Sequence, residues 1–148
     1  MENQIFIHES SFETARKKIH ENKDKQIIFS SNDDELNRKI LEKEDINVLL
    51  LNQASRKDFQ KQRNSGFNQV LAKLAKKKDV VIGINLNEVI NAGNKKIKSE
   101  ILARIRQNIM LCNKNKIKMI FIGQKRNPYD LKSLGLVLGM PTGMTREL

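Results

Sequence analysis

The stretch INVLLLNQASRKDFQKQRNSGFNQVLAKLAKKKDVVIGINL, residues 46–86, decides the fold of this chain. Two apolar runs, 46–52 and 80–86, enclose a polar loop and a segment, 66–78, whose apolar residues recur at helical spacing. Short, continuous apolar runs are typical of strands that are covered on both faces. A strand, a helix and a second strand in this order predict a parallel βαβ unit.

The same alternation continues on both sides of this stretch. The further predicted strands are 4–7, 25–31 and 118–123, and the further predicted helices are 10–22, 32–43, about 95–115 and roughly 129–138. Five strands alternating with helices predict an α/β protein with a parallel sheet, in a single domain, 1–148. The pattern leaves two closures open, an open doubly wound sheet such as a flavodoxin-like fold and a partial (β/α) barrel. The tail, 141–148, is predicted to fray.

The charge of the chain is large and unevenly spread. Its 148 residues carry 28 Lys and Arg against 17 Asp and Glu, a formal net charge of +11. Residues 1–52 hold 8 basic and 11 acidic side chains, whereas residues 53–148 hold 20 and 6. Such an excess predicts a polyanionic partner, most often a nucleic acid. The alternative is that abundant lysine mainly aids solubility.

Several function classes lack their signatures in this sequence. Cys112 is the only cysteine, which excludes disulfide frameworks and thiolate-rich zinc sites. No strand leads into a glycine-rich nucleotide loop. Neither a membrane-spanning apolar run nor an apolar signal core occurs, so we expect a cytoplasmic protein without membrane contact.

An enzymatic reading rests on few residues. Of the two histidines only His8 ends a predicted strand, beside Glu9, and this leaves a degenerate metal-dependent barrel phosphoesterase as an alternative. The acidic run 33–35 is explained by the positive end of a helix. We therefore predict no catalytic residue and no metal ligand in this chain.

Basic side chains are better placed than acidic ones. They cluster after three of the predicted strands, as Arg56, Lys57, Lys61 and Arg63, as Lys95, Lys96 and Lys98, and as Lys125 and Arg126. The loops that follow parallel strands emerge at one edge of the sheet, so we expect these cations to meet there and to contact phosphates. The alternative is a solvated surface. The sequence has one Tyr, six Phe and no Trp, and most of the Phe lie in apolar runs, which favours structured RNA or DNA over a bare single strand.

The order of motifs in residues 26–140 resembles a known family. The matching elements are the Asn37–Arg38 pair, Gly66 and Phe67 followed by VLAKLA at 70–75, VVIGINL at 80–86, and LGM at 138–140. Together they resemble the protein component 3 family of ribonuclease P of archaea and eukaryotes. Three departures stand out, which are Lys118 for a proline, Lys132 for an arginine, and a longer basic loop at 59–64.

The resemblance implies an incomplete TIM-like (β/α) barrel in a shortened form of the family. It implies a subunit of the ribonucleoprotein that removes the 5′ leader from precursor tRNA, and it adds Arg38 to the predicted RNA-binding residues. It further implies that the catalytic RNA holds the magnesium ions, so that the isolated chain is not catalytic and binds no cofactor. The implied partners are that RNA, precursor tRNA, the component 2 protein and other subunits, in a hetero-oligomer. The remaining alternative is a general nucleic-acid-binding α/β protein.

Overall fold

In the computed structural model, which describes residues 3–146 and 148, five strands alternate with helices. The strands are β1 (Gln4–His8), β2 (Gln26–Ser30), β3 (Val48–Leu51), β4 (Val81–Asn85) and β5 (Met119–Ile122). The helices are α1 (Phe12–Glu21), α2 (Asp34–Lys43), α3 (Gln69–Lys78), α4 (Leu86–Ile90), α5 (Lys95–Lys114), α6 (Pro128–Val137) and α7 (Thr142–Thr145). All predicted strands and helices are confirmed within a few residues, while α4 and α7 were not predicted.

The order of the strands in the sheet decides between the two closures. All neighbouring strands are parallel, and the order across the sheet is β1-β2-β3-β4-β5, the same as along the chain. A doubly wound sheet reverses its strand order at a switch point, and this sheet does not. With right-handed crossovers, an unreversed order puts every helix on the same face, as in a (β/α) barrel. Within the described residues β1 and β5 are the two edges, so the barrel is incomplete.

Side chains on the two faces of the sheet confirm this arrangement. On one face Phe29, Leu49 and Ile82 are fully buried in a core shared with the helices. On the other face Ile28 and its neighbours on β3 to β5 form a separate apolar cluster that contains no helix residue. Gly83 belongs to this second face, where an added Cβ would lie 2.9 Å from Ile122 Cδ1. The prediction of an incomplete barrel is confirmed, and the flavodoxin-like alternative is wrong.

The C-terminal segment is folded where the structure describes it. Met140 and Thr145 are buried, and α7 packs against α6 near Gly135. The prediction of a frayed tail is therefore wrong for residues 141–146 and 148, and residue 147 lies outside the described residues. Over the described part of the chain, no helix combines the length and apolar character that crossing a membrane requires.

Candidate nucleic-acid interface

Two loops and one helix start at the carboxyl end of the sheet carry all the predicted RNA-binding cations except Arg38. The long loop, residues 52–68, joins β3 to α3, and the short loop, residues 123–127, joins β5 to α6. Glu88 on α4 ties α4 to the long loop, and Asn87 ties α4 to the short loop by accepting from the backbone N–H of Gln124 at 3.0 Å. The lysines at the start of α5 follow α4 at the same end. The structure thus brings the three clusters to one edge, as predicted.

A buried arginine holds the long loop in place. Arg104 on α5 is only 3% exposed, and its Nε donates to Asp58 Oδ1 at 2.9 Å. Its two terminal nitrogens donate to the backbone carbonyls of Gln53 at 3.0 Å and Arg56 at 2.9 Å. A guanidinium with five donors in a rigid fork suits such simultaneous bonding. The conformation of the long loop therefore depends on one side chain of a distant helix.

Buried amides add a second set of loop contacts. The side chains of Gln53 and Asn108 both donate to the Ser65 carbonyl, at 2.9 and 3.4 Å. Gln107 donates to the Arg63 carbonyl and to Ser65 Oγ, each at 3.1 Å. Because these bonds fix both ends of residues 53–65, the loop presents its exposed side chains on a defined backbone.

The side chain of Arg56 is bound to other residues of the protein and is largely shielded from solvent. Its guanidinium forms two bonds of 2.9 Å with the Asp34 carboxylate and donates through Nε to the Asn52 carbonyl at 2.6 Å. The turn at Gly66, with φ of +75°, leaves room for this pair, since an added Cβ would lie 2.5 Å from Arg56 Nη2. Most of the donors that Arg56 could offer to a phosphate are thus already used.

Arg63 is also paired, although it is more exposed than Arg56. Its Nη1 donates to Asp58 Oδ2 at 3.0 Å, and about half of its side chain stays accessible. Arg104 and, to a smaller extent, Arg63 lower the pKa of the Asp58 carboxyl below its ordinary value, the hydrogen bond from Arg104 having the largest effect. Asp58 is therefore the anionic centre of the long loop.

The other predicted RNA-binding cations are free to meet a ligand. They are exposed, and among the described residues they form no ion pair: Arg38, Lys57, Lys61, Lys95, Lys96, Lys98, Lys125 and Arg126. Arg126 donates to Gln124 Oε1 at 3.2 Å, within its own loop. Arg38 lies apart from the sheet edge on α2, and a cavity next to the long loop connects it to Arg63. RNA contact by these residues stays a prediction.

The residues considered for catalysis lie in unremarkable surroundings. His8 Nδ1 is 2.8 Å from Ser30 Oγ, across the β1–β2 pair. In residues 3–146 and 148 no group of His, Cys, Asp and Glu side chains is placed to hold a metal ion. Burial raises the pKa of the Cys112 thiol to about 12, which keeps it protonated near neutral pH. No observation favours the phosphoesterase alternative.

Comparison with known proteins identifies the relatives of this chain. Ribonuclease P protein component 3 of Methanosarcina mazei is 30% identical over 108 residues, which is 72% of this chain and 41% of the relative. The same component of Methanococcus maripaludis is 25% identical over 140 residues, 95% of this chain and 57% of the relative. The chain belongs to the ribonuclease P protein component 3 family. It spans about half the length of these component 3 relatives, and no protein-family model matches it.

A solved structure supports the fold of this component 3 chain. A chain in the cryo-EM structure of an archaeal ribonuclease P with mature tRNA superposes with a TM-score of 0.82 at 24% sequence identity. The match covers 97% of this chain and 64% of the other. At this identity the likeness concerns the fold, and it agrees with the incomplete barrel derived above.

Reasoning from the sequence missed several residues that shape this candidate interface. Arg104 and Asn108 share the buried face of α5 with Ile101 and Ile105. Both residues lie at helical spacing from these isoleucines, and this spacing could have predicted that their side chains are buried. Phe59 in the long loop is 57% exposed. The sequence places residue 59 in the basic loop but predicts that exposed aromatic rings contribute little to binding.

Proposed function

We propose that this chain is a protein subunit of ribonuclease P that binds the catalytic RNA and supports removal of the 5′ leader from precursor tRNA. The observation that carries the proposal is its similarity to ribonuclease P protein component 3 along 95% of its length. The electrostatics agree with this role, since residues 53–148 hold 20 basic and 6 acidic side chains. Lysines and arginines that neutralise phosphates supply the main, sequence-independent part of nucleic-acid affinity.

The carboxyl end of the sheet is the surface that would meet the RNA. Free lysines of the long loop and the start of α5 extend from a backbone that Arg104 and Glu88 hold through hydrogen bonds. Cations on a fixed backbone position phosphates at lower entropic cost than cations on a flexible tail. This arrangement favours a folded RNA, whose phosphates are themselves held in place.

In this proposal the RNA performs the chemistry. The magnesium ions belong to the RNA, the chain binds no cofactor, and the isolated protein does not cleave precursor tRNA. Its partners are the ribonuclease P RNA, the component 2 protein and the other protein subunits, with which it forms a hetero-oligomer. We place the assembled particle in the cytoplasm, with its RNA.

Reconstitution tests the proposal. The full chain is combined with the ribonuclease P RNA and the other protein subunits of the same organism, and release of the 5′ leader is followed on gels. We expect that omitting the chain slows leader removal, and that replacing Lys57, Lys61 and Lys125 by glutamine raises the protein concentration needed for half-maximal activity. Leader removal that is equally fast without the chain would overturn the proposal.

A matched variant controls for the loss of charge. Lys17, Lys23 and Lys25 are also exposed and form no ion pair among the described residues, but they lie on α1 and before β2. Replacing these three by glutamine removes the same charge from other parts of the surface, and we expect little change. The variant His8→Ala should also process precursor tRNA at the rate of the unchanged protein. A loss of leader removal by His8→Ala would favour the phosphoesterase alternative.

A further inference from the structure

A cavity of about 600 Å³ opens beside the long loop. Its walls come from the long loop, the first turn of α2, the start of α3 and the outer face of α5, where Met110 is 72% exposed. Pockets of 300–1,000 Å³ suit small organic ligands, so the space can accept a single nucleotide. The aromatic ring of Phe59 stands in its wall with 57% of the residue exposed.

The structure holds Phe59 in this exposed position. Asp58, its neighbour in the chain, accepts hydrogen bonds from Arg104 Nε at 2.9 Å, from Arg63 Nη1 at 3.0 Å and from the Asn64 backbone N–H at 2.9 Å. Leaving a phenylalanine ring in water loses the free energy that its burial would gain. A ring that follows an anchored residue in the chain and yet stays exposed beside a cavity is suited to stack on a base.

Cations surround the same cavity. Arg38 and Lys114 line it and form no ion pair within the described residues, and the paired Arg63 lines it as well. Of the two carboxylates that line it, Asp34 is neutralised by Arg56, while Glu35 is exposed and opposes an anion. The balance of free charge is thus positive, which suits a phosphate group.

Hydrogen-bonding side chains complete the lining. The amide of Gln62 is exposed and makes no hydrogen bond within residues 3–146 and 148. Gln107 donates to the loop and keeps its side-chain oxygen as an acceptor. Amides offer both donors and acceptors, as recognition of the edge of a nucleobase requires.

We infer that this cavity binds one unpaired nucleotide of an RNA, with the base stacked on Phe59 and its phosphate near Arg38 and Lys114. The inference rests on the proposed function and adds to it a place where the protein distinguishes unpaired from paired RNA. Sequence reasoning expected stacking to contribute little, and Phe59 is the exception that the structure provides. Tyr129 is more exposed, at 77%, and its ring centroid lies 6.0 Å from Lys132 Nζ.

Two RNA hairpins that differ only in a three-nucleotide bulge test this inference. The affinity of the full chain for each is measured by fluorescence anisotropy at fixed salt. We expect the unchanged protein to bind the bulged hairpin about 5- to 10-fold more tightly, at the low end of what stacking of a base on an aromatic ring contributes. The variants Phe59→Ala and Phe59→Leu should bring this ratio close to one, because leucine keeps an apolar side chain but not the ring.

Controls separate the ring from the loop and from charge. Phe6 on β1 is 61% exposed and lies outside the long loop, so Phe6→Ala is a matched variant that should keep the ratio. Glu35→Gln should strengthen binding of the bulged hairpin, since it removes the opposing carboxylate. Arg38→Gln together with Lys114→Gln should weaken it.

The possible outcomes are distinct. The inference is overturned if Phe59→Ala keeps the ratio of the two affinities. If the variant keeps the ratio but weakens the binding of both hairpins, the ring stabilises the loop and does not stack on a base. A variant that keeps the ratio but no longer associates with the component 2 protein would show that the cavity is a protein-docking site. Leader removal in the reconstituted enzyme is measured in parallel. If the hairpin test fails while leader removal still depends on the chain, only the inference about the cavity is rejected. If leader removal is equally fast without the chain, the proposed function is rejected.

Discussion

The long loop and the short loop lie at the same edge of the sheet, and both are basic, but their charges are used differently. In the long loop Arg56 is paired with Asp34 and Arg63 with Asp58, and Arg104 of α5 also forms an ion pair with Asp58. In the short loop the side chains of Lys125 and Arg126 stay exposed, without an ion pair in the described part of the chain. The arginines therefore stabilise the conformation of the long loop, and the exposed lysines on its surface are the cations that can bind a ligand.

This difference shows that a count of cations overstates what a surface can offer to RNA. A guanidinium with all its donors directed at protein carbonyls and carboxylates has little left for phosphate. The lysine ammonium forms a compact charge on a flexible stem, and it is the group that stays accessible in both loops. We therefore expect that replacing the arginines that hold the long loop lowers the free energy of unfolding. Replacing its exposed lysines should lower the affinity for RNA without changing stability.

The largest effect is expected from Arg104→Met. This variant leaves the Asp58 carboxylate and the carbonyls of Gln53 and Arg56 without their partner at a buried position. Hydrogen bonds from a charged group contribute about 1.5–3 kcal/mol each, so losing the bonds of Arg104 to the two carbonyls should lower the free energy of unfolding by about 3 kcal/mol or more. Urea denaturation measures the loss, and Arg106→Met on the exposed face of the same helix should cost far less. Equal stability of the two variants would show that Arg104 does not hold the long loop.

A smaller effect is expected from Gly66→Ala. The residue has φ of +75°, and its added Cβ would collide with Arg56 Nη2. Strain in this region costs about 1–3 kcal/mol for a residue other than glycine. Thermal unfolding should show the loss, whereas Gly143→Ala, where an added Cβ meets nothing within 4 Å, should be tolerated. If both alanine variants unfold at the same temperature, the Arg56–Asp34 pair does not constrain the turn.

The smallest effect is the pH dependence of Asp58. Its pKa is lower in the folded protein than in the unfolded chain, so its contribution to stability is present above the ordinary carboxyl pKa of about 4. This contribution is lost as the pH falls through the folded pKa. The difference in unfolding free energy between the unchanged protein and Asp58→Asn, about 1 kcal/mol, should therefore vanish in acid. A difference that stays constant down to pH 2 would contradict this account.

The sequence predicts the framework of the fold well because the strands and helices carry their own periodic patterns. It misses α4 because Leu86–Ile90 is only five residues long and continues the apolar run of β4. It also misses the Arg56–Asp34 pair, since the partners are 22 residues apart and meet only through the turn at Gly66. The position of the basic clusters follows from topology, whereas the division into paired and free cations depends on tertiary contacts.

The salt dependence of binding tests the central claim most directly, namely that free cations at the carboxyl end of the sheet contact the RNA. The affinity for the ribonuclease P RNA is measured over a range of salt concentrations. The slope of log affinity against log salt is negative, and each lost phosphate contact makes it less steep by roughly 0.7–0.9. The account predicts a decrease in steepness of roughly 1.4–1.8 for Lys57→Gln with Lys61→Gln. It predicts no change for Lys23→Gln with Lys25→Gln, and equal decreases for the two pairs would contradict it.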